Sequence, residues 1–188
     1  MRTGNRRNKI APRIALPYGT QIAPNGKKKW QRKGAVQPAW TAIQRARKLD
    51  PEDTTFRGAE IGFVVEAQPD QAIDLLDDAF RDVMAGANAD ICFGFIAAAI
   101  RLGMRRNGRV WLERAADAAT RAMSQPPLHP RDYSWFRAFQ LISRELLAGR
   151  KPGVDILYRT GLGDGVIASA KKDPIESLLQ RGTQLRAA

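Results

Sequence analysis

Five cations and one tryptophan share seven consecutive positions, Lys27-Lys28-Lys29-Trp30-Gln31-Arg32-Lys33. Lysine and arginine neutralise phosphates and release counterions, which gives sequence-independent affinity that falls steeply with salt. A tryptophan among such cations can stack on an unpaired base. A solvated basic linker and a nuclear import signal have the same composition. Among these alternatives, we predict that the segment contacts nucleic acid.

Positive charge is concentrated at the start of the chain. The 188 residues include 31 Lys or Arg and 19 Asp or Glu, for a net charge of +12. Residues 1–48 hold 13 of the basic residues and none of the acidic ones, so the rest of the chain has a net charge of −1. A basic arm on a near-neutral body predicts a polyanionic partner. The candidate nucleic-acid-binding residues of this arm are Arg6, Arg7, Lys9, Lys27, Lys28, Lys29, Trp30, Arg32 and Lys33.

A second candidate phosphate-binding surface lies where one predicted helix ends and the next begins. Arg105, Arg106 and Arg109 surround this junction. The free backbone N–H groups at the start of a helix also favour anions. The alternative is a solvated face whose arginines pair individually with carboxylates, and such pairs contribute little to stability.

Acidic residues recur every fourth position in one predicted helix, at Asp70, Asp74, Asp78 and Asp82, with Asp77 beside them. This spacing places the four on one face. They could pair across helices with the arginines between Arg101 and Arg121, or hold the basic arm until a polyanion displaces it. A single metal ion is the least favoured alternative, because successive carboxylates are separated by about 6 Å along the helix axis.

Residue types that support catalysis are scarce. His129 is the only histidine and Cys92 the only cysteine, which excludes two-histidine sites and intrachain disulfides. His129 precedes Pro130, where a capping or loop role is expected, and Cys92 lies in an apolar segment typical of an inert core thiol. Gly161-Leu162-Gly163-Asp164-Gly165 lacks the Gly-Lys-Ser/Thr ending of a phosphate loop and favours a turn. We therefore predict a protein without enzymatic activity, cofactor or bound metal.

Residues 1–36 are predicted to form an extended arm. Ile10-Ala11-Pro12 recurs as Ile22-Ala23-Pro24, and proline favours extended backbone at the residue before it. The apolar residues of these triplets suggest that part of the arm lies in a groove of a protein partner or of the protein's own body. The alternative is a tail with incidental apolar residues.

Residues 37–150 are predicted to form a helical body. Pro38 suits a first helical position, whereas residues 55–67 fit a strand or a helix equally well. Four longer helices follow, from near Pro69 to Gly86, from Asn88 to Gly103, from Asn107 to about Met123 and from Pro130 to Gly149. The inward-facing residues predicted for the first and third include Ile73, Leu76, Phe80, Val83, Val110 and Trp111. The second is apolar on nearly all sides, which predicts the central helix.

Residues 151–188 are predicted to form a small β-hairpin, with strands at 154–159 and 166–170, followed by a short helix from Asp173. The fold class expected is therefore mainly α. About five helices would form an antiparallel bundle or stacked helical hairpins, with the arm and the possible hairpin as appendages.

These features together predict a non-enzymatic nucleic-acid-binding accessory protein whose body binds a protein partner or self-associates. Abundant Arg and Ala suggest a bacterial, plasmid or phage source, and the lack of an apolar leader or membrane span suggests the cytoplasm. One alternative is a structural component of a capsid or ribonucleoprotein, with the arm threaded between neighbours. Another is a regulator that binds an acidic protein surface. DNA and RNA are equally compatible with the sequence.

Overall fold

The computed structural model describes residues 32–105, 108–126, 128–162 and Ile175, with side chains in the first helix from Val36 onward. The protein is mainly helical, as predicted, and the described residues contain no strand. The helices are α1 (Arg32–Leu49), α2 (Thr54–Ala67), α3 (Ala72–Ala85), α4 (Ala89–Gly103), α5 (Arg109–Met123), α6 (Pro130–Leu147) and α7 (Asp155–Tyr158).

Three helix starts are fixed by side chains that accept a backbone N–H. Asp53 accepts from Thr55 at 2.7 Å to begin α2, and Asn88 accepts from Ile91 at 3.2 Å to begin α4. The Nδ1 atom of His129 accepts from the N–H of Arg131 at 3.2 Å, which starts α6. Such caps satisfy N–H groups that the first turn of a helix leaves without a partner. The expected capping roles of Asn88 and His129 are therefore confirmed.

Helix α4 occupies the centre of the body. Phe95, Ile96 and Ile100 are fully buried, and α4 packs against α2, α3, α5 and α6. The contact with α2 is especially close because two glycines face each other there. A Cβ atom on Gly94 would lie only 2.8 Å from the carbonyl carbon of Gly58. The prediction of a central helix is confirmed.

Residues 55–67, left open between strand and helix, form most of α2. Ile61, Val64 and Val65 are buried against the rest of the core, and Ala67 ends the helix. Positions 64 and 65 follow position 61 by three and four residues, so all three side chains lie on one buried face of the helix. Burial on a helical stripe thus decides between two local conformations that the sequence pattern favours equally.

Helix α1 begins earlier than expected. Its start at Arg32 makes residues 32–36 helical, where an extended arm was predicted, and places Pro38 inside the helix instead of at its first position. An interior proline removes one backbone hydrogen bond and usually costs stability. Burial of Ala39, Ile43 and Ala46, together with a hydrogen bond from Gln37 to the carbonyl of Ala67 at 3.1 Å, offsets that cost.

The directions of neighbouring helices follow from their contacts. Helix α1 runs antiparallel to α2, since Gln37 meets Ala67 whereas Gln44 meets Glu60. Helices α2 and α4 are parallel, because Gly58 lies beside Gly94 and the later Gly62 carbonyl accepts from Arg101. Helices α3 and α5 are also parallel, with Asp77 paired to Arg114 and the Met84 carbonyl accepting from Arg121.

The strand predicted at 154–159 is wrong, because residues 155–158 form α7. Ile156 and Leu157 are buried beside α6, and adjacent positions of one short helical turn can both enter the core there. The turn at Gly161 has a φ of +77°, which suits glycine. Gly163 to Gly165 and the second predicted strand lie outside the described residues, as does the predicted terminal helix apart from Ile175, which is helical.

Two predicted core residues are exposed. Ile73 is 54% exposed and Val110 is 48% exposed. The buried stripe of α3 is instead formed by Ala72, Leu76, Ala79 and Val83, and that of α5 by Trp111 and a row of alanines. Leu76, Val83 and Trp111 are buried as predicted, so the error is confined to positions at the edge of each buried face. Within the described ranges, no helix is both long enough and apolar enough to cross a membrane.

Candidate nucleic-acid interface

The basic arm leads directly into α1. Arg6, Arg7, Lys9, Lys27, Lys28, Lys29 and Trp30 lie outside the described residues. Arg32 and Lys33 belong to the first turn of α1, where the backbone alone is described. Since α1 is packed on α2 through Ile43 and its neighbours, the point at which the cationic segment joins the body is fixed.

Two further cations of α1 are exposed. Arg45 and Lys48 face solvent and have no ion pair among the described residues. Arg47, between them, is instead bound to Glu60 at 3.2 Å and donates to the carbonyl of Pro51. Arg45 and Lys48 therefore add positive charge to the body, at the opposite end of α1 from the basic segment. Sequence reasoning included both in the charge count but did not select them as site residues.

The arginines predicted near the α4–α5 junction are only partly available. Arg105 is exposed and donates to the carbonyl of Val65 at 3.4 Å, whereas Arg109 is paired with Glu113 at 3.0 Å. Arg106 lies outside the described residues. The side chain of Arg109 is 75% exposed, and an exposed ion pair is weak, so a phosphate can compete with Glu113 for the guanidinium group of Arg109. A phosphate-binding role for this junction stays a prediction.

The acidic face of α3 is already partly neutralised by neighbouring cations. Asp77 pairs with Arg114 of α5, Asp82 with Arg57 of α2, and Asp78 with Arg81. Asp70 and Asp74 are the remaining exposed carboxylates of the series, without a cation partner in the part of the chain that the structure describes. The pairs of Asp77 and Asp82 favour the cross-helix alternative, whereas a contact of Asp70 and Asp74 with the arm stays a prediction. Within the described ranges, no cluster of three or more His, Cys, Asp or Glu could hold a metal ion.

The three tryptophans of the described body are wholly or partly buried, and Trp40 of α1 is half-buried against the core. Trp135 is 3% exposed, and Trp111 is buried with the guanidinium of Arg114 at 4.7 Å from its ring centroid. The same guanidinium lies 5.2 Å from the ring of Phe80, so Arg114 joins α3 to α5. The exposed aromatic rings among the described residues are those of Tyr133 and Tyr158, at 42% and 62% exposure.

Tyr158 belongs to a cationic surface that sequence reasoning did not find. We call this the α6–α7 surface, formed by Arg137, Arg144, Lys151, Tyr158 and Arg159, all exposed. The Nε atom of Arg137 donates to the carbonyl of Arg159 at 3.3 Å, which brings the two guanidinium-bearing residues together. Arg137 and Arg144 are seven residues apart and share one face of α6. The sequence pattern did not reveal this surface, because Tyr158 and Arg159 fall in a segment that was predicted to be a strand.

Glu145 of α6 is a half-buried carboxylate near this surface, and it already has a partner. Arg150 donates to both carboxylate oxygens, at 2.5 and 2.8 Å. These hydrogen bonds hold the pKa of Glu145 below its usual value; burial opposes them, and the charges of Arg150 and Arg159 make smaller contributions that also lower it. The carboxylate therefore stays charged and paired at neutral pH.

Replacing Arg150 with glutamine is expected to raise the pKa of Glu145 toward that of an isolated glutamate. The pair stabilises the fold above the pKa of Glu145 in the unfolded chain, and this contribution is lost as the pH falls through the lower folded pKa. Side-chain carboxyl NMR titration measures the shift. Arg81→Gln is the matched control, since Arg81 pairs with Asp78 instead. An unchanged Glu145 pKa in Arg150→Gln would contradict the pairing.

Comparison with family models, with curated proteins and with solved structures gives no match for this chain.

Proposed function

We propose that this protein is a non-enzymatic nucleic-acid-binding accessory protein, of a kind found in bacteria, plasmids or phages. The basic arm neutralises phosphates, and the helical body binds a protein partner or another copy of the chain. One observation carries the proposal: residues 1–48 hold 13 basic and no acidic residues, whereas the remainder is nearly neutral. Charge segregation of this kind is the electrostatic footprint of a polyanion-binding protein.

The helical body supports this role in two ways: it holds the helix that follows the arm, and it exposes faces to which a partner can bind. Direct packing of the parallel helices α2 and α4, and of α3 and α5, supports stacked helical hairpins over an up-and-down bundle, in which adjacent helices are antiparallel. Stacks of hairpins expose broad continuous faces, which repeat proteins use for binding. The arm leaves such a stack from the start of α1, and the exposed cations Arg45 and Lys48 lie about 20 Å away, near the other end of that helix. In this proposal the arm supplies the affinity for nucleic acid, and the body positions the arm by binding a protein partner or another copy of the chain.

Filter binding across a salt series tests the proposal on the full-length chain. The logarithm of the association constant for a single-stranded oligonucleotide is expected to fall linearly with the logarithm of salt concentration. The slope is about −0.7 for each neutralised phosphate, so five arm contacts would give a slope of about −3.5. Binding that is absent, or that does not change with salt, would overturn the proposal.

A structural component of a large particle is the second candidate. The repeated triplets Ile10-Ala11-Pro12 and Ile22-Ala23-Pro24 favour it, since extended apolar chain suits a groove between protein neighbours. The exposed apolar side chains of Ile73 and Val110 also favour protein contact. Sedimentation separates the two functions: a particle component forms large assemblies, whereas an accessory protein that binds free oligonucleotide sediments as a small species.

A further inference from the structure

The α6–α7 surface combines cations with an exposed aromatic ring on one side of the body. Arg137 and Arg159 are adjacent through their 3.3 Å hydrogen bond, and Arg159 is close enough to Glu145 to lower its pKa. Tyr158 immediately precedes Arg159 and is 62% exposed. Gly161 lies beside Ser134 of α6, so the chain after α7 stays against α6 along its first half. These contacts define one continuous surface.

The charge balance of this surface is positive. Residues 131–162 contain six Lys or Arg and three Asp or Glu. Of the acidic residues, Glu145 is paired with Arg150, whereas Asp155 is exposed at the start of α7. Asp132 is half-buried near the start of α6. The exposed cations Arg137, Arg144, Lys151 and Arg159 are thus left with little compensating negative charge, which favours an anionic ligand.

The residue types favour a single strand of nucleic acid as the ligand. Guanidinium groups present planar donors that match two phosphate oxygens at once. An exposed tyrosine beside them offers a face on which an unpaired base stacks, a combination typical of single-strand binders. In a duplex the bases are already stacked on each other, so no base would be free to stack on the ring of Tyr158.

We infer that the α6–α7 surface is a second nucleic-acid contact, which takes a single-stranded segment by stacking on Tyr158 and by phosphate pairing with Arg137, Arg144 and Arg159. The inference rests on the proposed function and names the form of nucleic acid. The order of packing, α1 on α2, α2 on α4, α4 on α6 and α6 on α7, separates this surface from the start of the arm. Residues 1–31 span at most about 100 Å when fully extended. One strand can therefore contact both the arm and this surface.

The test compares full-length variants for binding to a single-stranded oligonucleotide. Arg144→Gln/Arg159→Gln is expected to reduce the magnitude of the salt slope by about 1.4 and to weaken binding roughly 20-fold near 0.1 M salt. Arg57→Gln/Arg81→Gln removes the same charge beside α3, where both arginines pair with carboxylates, and is expected to leave both quantities unchanged. Arg144 and Arg159 are exposed, and circular dichroism checks that all variants keep their folds.

A photo-crosslink tests the aromatic contact independently. A single strand that contains 5-bromouracil is expected to crosslink to Tyr158, and Tyr158→Leu is expected to lose both the crosslink and some affinity for single strands. Unchanged slopes in the double variant, together with no crosslink at Tyr158, would overturn the inference. If the wild-type chain still bound the oligonucleotide with a salt dependence, the proposed function would stand although the inference failed. If the wild-type chain did not bind at all, the inference and the proposed function would both be overturned.

Discussion

Replacing Gly94 with alanine lowers the free energy of unfolding by about 3 kcal/mol, the upper part of the range for an overpacked core. The added methyl group would overlap the carbonyl group of Gly58, and its distance to the carbonyl carbon would be 2.8 Å. A flexible side chain could rotate away, but the obstacle here is the backbone of α2. Helices α2 and α4 would therefore have to separate along the most closely packed interface of the body.

Thermal unfolding followed by circular dichroism measures this effect. For a chain of this size, 3 kcal/mol corresponds to a decrease in Tm of roughly 6–12 °C. Gly149→Asn is the matched control: Gly149 has a φ of +71° with no atom within 4 Å of an added Cβ, and asparagine tolerates that conformation. The control is expected to cost less than about 1 kcal/mol. An unchanged Tm for Gly94→Ala would contradict the close packing of α2 on α4.

The reciprocal substitution strengthens the test. Alanine at Gly58 would meet the carbonyl carbon of Asp90 at 2.7 Å, on the same interface. Once α2 has moved away to accommodate one methyl group, the second costs less, so the double variant is expected to lose less stability than the two single variants together. Additive losses would indicate two independent sites.

Helices with strong start signals were predictable from the sequence. Asn88 before an apolar run and His129-Pro130 before an aromatic-rich segment mark α4 and α6, and the structure confirms both starts. These signals are local, because the cap and the first turn lie within a few residues of each other. Sequence reasoning succeeds where the determining contacts are short-range.

The errors occur where distant contacts decide. Ile156 and Leu157 are compatible with a strand, and only their burial against α6 selects a helical turn. Pro38 marks a helix start locally, yet α1 begins at Arg32, and Gln37, the residue before Pro38, is bound to the carbonyl of Ala67 in α2. The α6–α7 surface was missed for the same reason, because Arg137 and Arg159 are 22 positions apart and become neighbours only through tertiary packing. The arm, in contrast, is a property of composition and needs no fold to be noticed.

Neutralising the three consecutive lysines of the arm is expected to have the largest effect on binding. Lys27→Gln/Lys28→Gln/Lys29→Gln removes three phosphate contacts, which reduces the magnitude of the salt slope on single strands by about 2. Near 0.1 M salt the same loss weakens binding about 100-fold. The body is expected to keep its stability, since the described core begins beyond these residues, with Ala39 as its first member. Filter binding over a salt series measures both quantities.

Two matched variants separate charge from stacking within the same segment. Replacing the three lysines with arginine keeps every charge and is expected to preserve the slope. Trp30→Leu removes the ring alone, so it is expected to weaken single-strand binding about 10-fold while leaving the slope unchanged. Phosphate neutralisation changes the number of released counterions and therefore the salt slope. Stacking changes the affinity at a fixed salt concentration without changing the slope. A lysine variant with a wild-type slope would place the phosphate contacts elsewhere in the chain and contradict the assignment of the arm.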